Sequence, residues 1–551
     1  MRRSTPLLLA LIVLLFVAGT APALAVGLEG QVEVISTSVG GTQGNGDSGY
    51  PEWSPNGEMV AFSSWASNLV AGDTNGTSDV FMKNIDTGVV TRVSESSSGG
   101  EGNLYSFTPR WSPDGTKIAF YSYATTLVTG DANNQPDVFV KDLATDALTR
   151  ISTTSSGAQA DGYSLEPRWS PDGSSIVFTS SAANLAAADT NASDDVFVKN
   201  LTTGAITVVS ALGGTPGNGD SGAPAWSPDG TRIAFWSEAS NLVAGDTNDQ
   251  ADIFVKNLAS GVITRVSTTS QGGQTEFEVG AGSTAEIGGP FWSPDGTRIA
   301  FASPAINLVP NDTNGVWDVF VKDLPTGLVT RASTRSDGGG AHNSSYGPAW
   351  SSDGEHLAFY SSADDLVGND TNGYADAFIK DLVTDETIRV STDASGVQGD
   401  RASRFLAWAP DGARFVLESK STNLIPGGTT AYQHLFLRML DTDPLGHGTF
   451  VDDDGSVFEP DIEKIADAGI TKGCNPPVND MFCPDDTVTR GQMAAFLVRA
   501  LDLTASGSTD FVDDNGSVFE ANIEALAAAG ITRGCNPPVN DKYCPTANVT
   551  R

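Results

Sequence analysis

A tryptophan-led turn that returns seven times constrains this chain more than any other feature. Trp53, Trp111, Trp169, Trp226, Trp292, Trp350 and Trp408 each open a Trp-Ser-Pro-Asp-Gly-like segment, at intervals of 58, 58, 57, 66, 58 and 58 residues. The long interval coincides with extra Gly- and Ser-rich chain around residues 270–289. Repetition at this period implies one supersecondary unit copied along the chain rather than a single layered core.

Within a unit, Pro109-Arg110-Trp111 leads into Ser112-Pro113-Asp114-Gly115, then Lys117–Ser122, a polar loop, Asp137–Leu143 and Leu148–Ser152. Pro presets φ and Gly completes a tight reversal, so these segments predict four short strands separated by turns. Four-stranded units repeated radially make a β-propeller, whose closed ring protects its sheet edges. An open β-solenoid fits less well, because its turns recur at shorter periods. The expected fold class is an all-β seven-bladed β-propeller with a small C-terminal α-helical region. The seventh unit runs through Phe415–Leu417 and Leu435–Met439 without a fourth strand, whereas Gln31–Thr37 resembles the fourth-strand segment Thr264–Thr268. The N-terminal strand is therefore expected to complete the last blade.

Between the second and third strands, six units carry Asp-x-Asn-x-x-x-Asp. The residues are Asp73, Asn75 and Asp79; Asp131, Asn133 and Asp137; Asp189, Asn191 and Asp195; Asp246, Asn248 and Asp252; Asp312, Asn314 and Asp318; Asp370, Asn372 and Asp376. The seventh has Gly428, Thr430 and His434 at those places. Oxygens at positions 1, 3 and 7 of a turning loop can converge on a hard cation, calcium first. The same letters also make Asx turns, so a repeated turn explains them equally.

The ends of the chain read differently. Arg2 and Arg3, an apolar run from Leu7 to Val17 and Ala23-Leu24-Ala25 form a signal-peptide pattern over residues 1–25. The run falls short of the about 20 residues that span a bilayer, which disfavours a retained anchor. The expectation is a secreted chain, not transmembrane after cleavage. Formal net charge is -36, with -10 from residues 444–551 (17 acidic, 7 basic) and the rest spread along the chain. So acidic a protein repels phosphate backbones and excludes nucleic acid as a partner. The four cysteines, Cys474, Cys483, Cys535 and Cys544, have identical spacing in two pairs and read as two local disulfides, Cys474–Cys483 and Cys535–Cys544. A four-cysteine metal site would need Cys-x-x-Cys knuckles, which are absent.

From Gly448 the chain nearly duplicates itself at 61 residues, measured from Cys474 to Cys535. Phe450–Asp453 is matched by Phe511–Asp514, and Ile462–Thr471 by Ile523–Thr532. Apolar spacing predicts a helix stopped by Gly469 and a second over Arg490–Leu501, with Thr489 as its N-cap. The organisation expected is a propeller over residues 26–443, one module over 444–505 and a second, incomplete one over 506–551.

Two resemblances follow from these residues. The Pro-x-Trp-Ser-Pro-Asp-Gly-x-x-Ile-Ala-Phe pattern resembles the repeats of TolB-type, WD-like extracytoplasmic propellers, over about residues 31–441. It implies binding of a protein or small ligand on a propeller face and implies no chemistry. The C-terminal pattern resembles the S-layer homology (SLH) module, whose members bind anionic cell-wall polysaccharide. By that resemblance Thr489 and Arg490 are the candidate glycan contacts, although the family's Ala-Glu is Gly491-Gln492 here. Helix capping explains the same two residues.

The function expected is a secreted, cell-wall or S-layer associated binding or scaffold protein. Its propeller would hold an unknown protein or glycan, and its modules cell-wall polysaccharide. No catalytic residue is assigned: His342, His356, His434 and His447 are scattered through the repeat, and no Gly-x-Ser-x-Gly elbow follows a strand. A wall-anchored polysaccharide hydrolase or lyase, using some acidic pair, and a structural S-layer component remain the alternatives.

Overall fold

A computed structural model describes residues 32–279, 289–439, 493–495, 497–498, 520–528, 542 and 544. Leu28–Asp441 forms one compact unit and the chain beyond Asp441 belongs to another.

The first unit is a ring of seven four-stranded antiparallel sheets. Blade 1 consists of Ser48–Trp53, Met59–Ser64, Asp79–Asn84 and Val90–Arg92, paired in that order. The turn after its first strand is set by the repeated Ser-Pro-Asp-Gly chemistry, seen in blade 2. Ser112 Oγ donates to Asp114 Oδ1 at 2.6 Å, the Thr116 amide donates to the same oxygen at 3.0 Å, and Gly115 takes φ 69°. These bonds also hold the Asp114 carboxyl below its ordinary pKa.

Blades 1–6 each bury one phenylalanine from the second strand on one from the third, and blade 7 pairs Leu417 with Phe436 instead. Phe62 and Phe81 are register partners with ring centroids 6.0 Å apart, and Phe120–Phe139, Phe178–Phe197, Phe235–Phe254, Phe301–Phe320 and Phe359–Phe378 repeat the pair. Removing each ring from water contributes about 1.5–3 kcal/mol.

Blades are joined by three recurring contacts. Of the seven repeat tryptophans, each but Trp226 donates its indole N–H to a carbonyl of the preceding blade, as Trp111 does to Glu52 O at 3.2 Å. A third-strand lysine reaches back to the turn after the preceding outer strand, as Lys199 does to the Thr153 and Thr154 carbonyls, both at 2.8 Å. Burial pulls the pKa of Lys83, Lys199, Lys256 and Lys322 down. Finally, Arg232, Arg298 and Arg414 lie over Trp292, Trp350 and Trp53, 4.6–5.0 Å from the ring centres.

Blade 7 is made from both ends of the propeller. Ser403–Trp408, Arg414–Ser419 and His434–Met439 pair in order, and Glu33–Val34 adds the fourth strand through Glu33↔Leu437 and Val34↔Phe436. His434, wholly buried, bonds Ser36 Oγ through Nδ1 at 3.0 Å and Thr430 Oγ1 through Nε2 at 2.7 Å. In the other blades an aspartate holds this place and accepts from a serine of its own outer strand, as Asp79 does from Ser94.

In the second unit, Glu520–Ala528 is a helix opening on an acidic residue, which suits the positive end of the helix dipole. Ala494, in a helical stretch within the predicted 490–501 segment, packs with Ile523 and Leu526. No helix among the described residues is long and apolar enough to cross a membrane.

Candidate functional site

The first strand of every blade faces the ring axis, and its sequence shapes what is presented there. Tyr50, Thr108, Glu166, Ala223, Gly347 and Phe405 occupy one equivalent position, all with φ between 31° and 63°. Pairing slips there in blades 1–4, 6 and 7, as between Gly49 and Glu52, so each of these strands carries a β-bulge. Left-handed backbone at a non-glycine residue costs on the order of 1–3 kcal/mol and persists only where neighbours enforce it. Here the preceding blade does so. The Tyr50 amide donates to Glu418 Oε1 at 2.5 Å, the Thr108 amide to Ser63 Oγ at 3.2 Å and the Ala223 amide to Glu166 Oε2 at 3.2 Å.

The result is a mouth of about 640 Å³ on the axis, lined by all seven repeat tryptophans and by turn prolines such as Pro113, Pro171, Pro228, Pro294 and Pro410. A second pocket of about 120 Å³ is bounded by Tyr50, Arg110, Arg168, Phe405 and Glu418 and shares Arg110 and Arg168 with the mouth. Arg110 Nη1 sits 3.0 Å from Glu52 Oε2, an ion pair at the mouth wall. Six of the indole N–H groups are spent between blades, so the mouth offers mainly ring and pyrrolidine surface. The tryptophan of every unit is the signal in the sequence for this site, which only the closed ring assembles.

The histidines stand elsewhere. His342 Nδ1 is 3.2 Å from Asp365 on the surface, His356 is 3.6 Å from Asp353, and His434 is in the closure. His447 lies outside the described residues.

The Asp-x-Asn-x-x-x-Asp loops resolve into two parts. The asparagines make the turn: Asn75, Asn133, Asn191, Asn248, Asn314 and Asn372 each accept the amide N–H two residues on through Oδ1. Their amide groups donate to the carbonyls of Gly102, Ala160, Gly217, Thr275, Ala341 and Gly399.

The aspartates converge, but mostly on an arginine of the chain. Arg150 Nη1 lies 3.6 Å from Asp131 and 3.3 Å from Asp137; Arg265 Nη1 lies 3.1 Å from Asp246 and 3.4 Å from Asp252; Arg331 Nη1 lies 3.2 Å from Asp312 and 3.4 Å from Asp318. Arg389 Nη1 is 3.5 Å from Asp370, with Asp376 in its field. In blade 1 Arg92 pairs with Glu101 at 2.7 Å, and the carboxylates of Asp73, Asp79 and Glu101 cluster around it. Glutamine amides of Gln159, Gln274 and Gln398 add to the same oxygens in their blades. These arginines close the outer strand as its third residue, as in Leu148-Thr149-Arg150. Their recurrence in five of the six Asp-bearing units was the overlooked signal.

Burial still dominates the charge balance. It pushes the Asp73, Asp195 and Asp318 carboxyls up to about 6, despite hydrogen bonds to Asp195 from Ser210 and to Asp318 from Ser333. Asp189 and Asp195 in blade 3 have no arginine, because Val208 stands at that position.

Thr489, Arg490, Cys474, Cys483 and Cys535 lie outside the described residues, and of the cysteines only Cys544 is within them.

The fold is that of a seven-bladed propeller, and family comparison agrees. Residues 42–184 match the TolB beta propeller domain and residues 449–494 the S-layer homology domain. The chain thus joins a TolB-type propeller to an S-layer homology domain, an association that marks a cell-surface protein. Dipeptidyl-peptidase 5 of Porphyromonas gingivalis is 30% identical over 127 residues, 23% of this chain and only 16% of that protein. Among solved structures, TolB from Acinetobacter baumannii is 19% identical, covering 62% of this chain and 63% of that one with a TM-score of 0.35. An oligogalacturonate lyase in complex with manganese is 15% identical, covering 75% and 90% with a TM-score of 0.45.

Proposed function

We propose that the protein is a wall-anchored surface binding protein whose propeller takes its partner, a protein or a glycan, at the axial mouth. The observation that carries this is the convergence of seven tryptophans on one concavity of about 640 Å³. Concave, largely apolar surface with a few fixed polar groups is the usual form of a recognition site. The Glu52–Arg110 pair on its wall would orient a polar group of the partner.

Arrays of glycans and peptides probed with the full chain should yield a ligand class whose binding falls when Glu52→Gln and Arg110→Gln are combined. Hits indifferent to that double variant would move the site off the mouth, and release of new chain ends from a bound glycan would establish an enzyme. The modules, not the propeller, are proposed to hold the wall, with Arg490 contacting acidic groups of the polymer through its guanidinium fork. A pull-down on purified wall polymer should lose retention with Arg490→Ala; equal retention would leave Arg490 a helix-capping residue. The pairings Cys474–Cys483 and Cys535–Cys544 belong to the same proposal, and peptide mapping of the unreduced protein tests them.

A further inference from the structure

Blade 3 keeps both carboxylates of the repeat but lacks the group that balances them elsewhere. Asp195 is wholly buried and Asp189 is 7% exposed. One oxygen of each is used: Asp195 Oδ1 accepts from Ser210, and Asp189 accepts the Asn191 amide N–H. Asp189 Oδ1 and Asp195 Oδ2 are buried and make no direct hydrogen bond, the Asn191 side-chain amide acting on Asp195 from nearby. In three sister blades a single guanidinium nitrogen lies within 3.1–3.6 Å of both equivalent carboxylates, so the fold places them where one cationic centre can touch both.

In blade 3 that arginine is Val208, and the place of Gln159 or Gln274 is taken by Pro216, at the end of a small hairpin pairing Ala211–Leu212 with Thr215–Pro216. Neither replacement can donate a hydrogen bond. The surroundings add negative charge: Asp161 acts on Asp189, and Asp194, bonded by the Tyr163 hydroxyl and itself bonded through its amide to Asp220, acts on Asp195.

We propose that blade 3 binds one calcium ion between Asp189 Oδ1 and Asp195 Oδ2, in the position that arginine fills in the sister blades. All the available donors are oxygens, and two buried carboxylates with no counter-charge require a cation that brings its own water ligands. Because Asn191 is committed to its turn, water must complete the six to eight oxygens that calcium takes. The expected affinity is that of modest extracellular sites, a Kd of about 10⁻⁴–10⁻³ M.

The test is calorimetric titration of calcium chloride into the EDTA-stripped full chain, with Val208→Arg as the decisive variant. That change installs the sister blades' own solution, so the ring should fold, with a Tm in EDTA equal to or above that of the unmodified protein. It should bind one calcium fewer, and its Tm should lose the calcium-dependent rise from this site. Asp195→Asn, a near-isosteric second variant, should weaken the same site on the order of tenfold or more. No calcium binding by the unmodified protein, or the same stoichiometry in both variants, would overturn the proposal and leave the two carboxylates sharing a proton.

Discussion

Blades 3 and 7 both lack the arginine of the repeat, yet they lack it in opposite ways. In blade 7 the outer strand has Val34 where blade 1 has Arg92, and both aspartates are gone, replaced by Gly428 and His434. Positive and negative partners disappear together, and burial pulls the His434 pKa down. In blade 3 Val208 removes the cation alone, and Asp189 and Asp195 stay. The difference teaches that the arginine is needed only where the carboxylates are. A blade that keeps the carboxylates must find positive charge elsewhere or hold a proton.

The largest effect expected is at blade 7. Removing residues 32–36 should unfold the propeller or lower its stability by roughly 5 kcal/mol or more, since Val32, Val34 and Ile35 are buried and each contributes about 1.5–3 kcal/mol. The exposed His434–Met439 edge would also invite aggregation. Chemical denaturation with light scattering checks this, and an unchanged transition would make the closing strand dispensable.

Next, Arg331→Met turns blade 5 into a copy of blade 3 by stripping Asp312 and Asp318 of their cation. A loss of about 3–5 kcal/mol is expected in EDTA, because buried charges are left unpaired. If calcium restores part of it, the two blades are interchangeable; if denaturation curves show no loss, the arginine is not what balances the pair.

The pH dependence should separate the blades further. A carboxyl raised to about 6, as at Asp195, binds its proton more tightly folded than unfolded, so its contribution to stability falls as pH rises from about 4 through about 6. Asp73 and Asp318 add to the same slope. With EDTA present, the drop in Tm across this window should be smaller for Val208→Arg than for the unmodified protein. Equal drops would place the slope in blades 1 and 5 alone.

The smallest effect concerns the ring joints. Arg298→Ala removes a cation over Trp350 and its bond to Gly354 O, and should cost about 1–2 kcal/mol by urea denaturation. The equivalent place in blades 1 and 3 is Met59 and Ser175, where alanine should change little. Equal losses at Arg298 and Met59 would remove the distinction between joints with and without an arginine.

Much of the fold was legible because its determinants are local. The seven turns, the strand patterns and the missing fourth strand of the last unit can all be read along the chain, since Ser-Pro-Asp-Gly specifies a turn wherever it stands. The Asp loops were legible as turns for the same reason: Asn75 bonds an amide two residues away. What filled the space between their carboxylates was not. It depends on Arg265 in an outer strand meeting Asp246 and Asp252 across a folded sheet.

The sequence by itself determined the number of blades, their strand order and the repeated placement of tryptophans and aspartates, because each follows from short-range backbone preference and periodicity. Only the tertiary structure decided which of these residues face the axis, that the asparagines are spent within their turns, and that five aspartate loops carry their own cation while the sixth does not. The reason is physical: charge pairing and desolvation act between side chains brought together by folding, and a carboxylate's environment is a property of the space around it rather than of its neighbours in the chain.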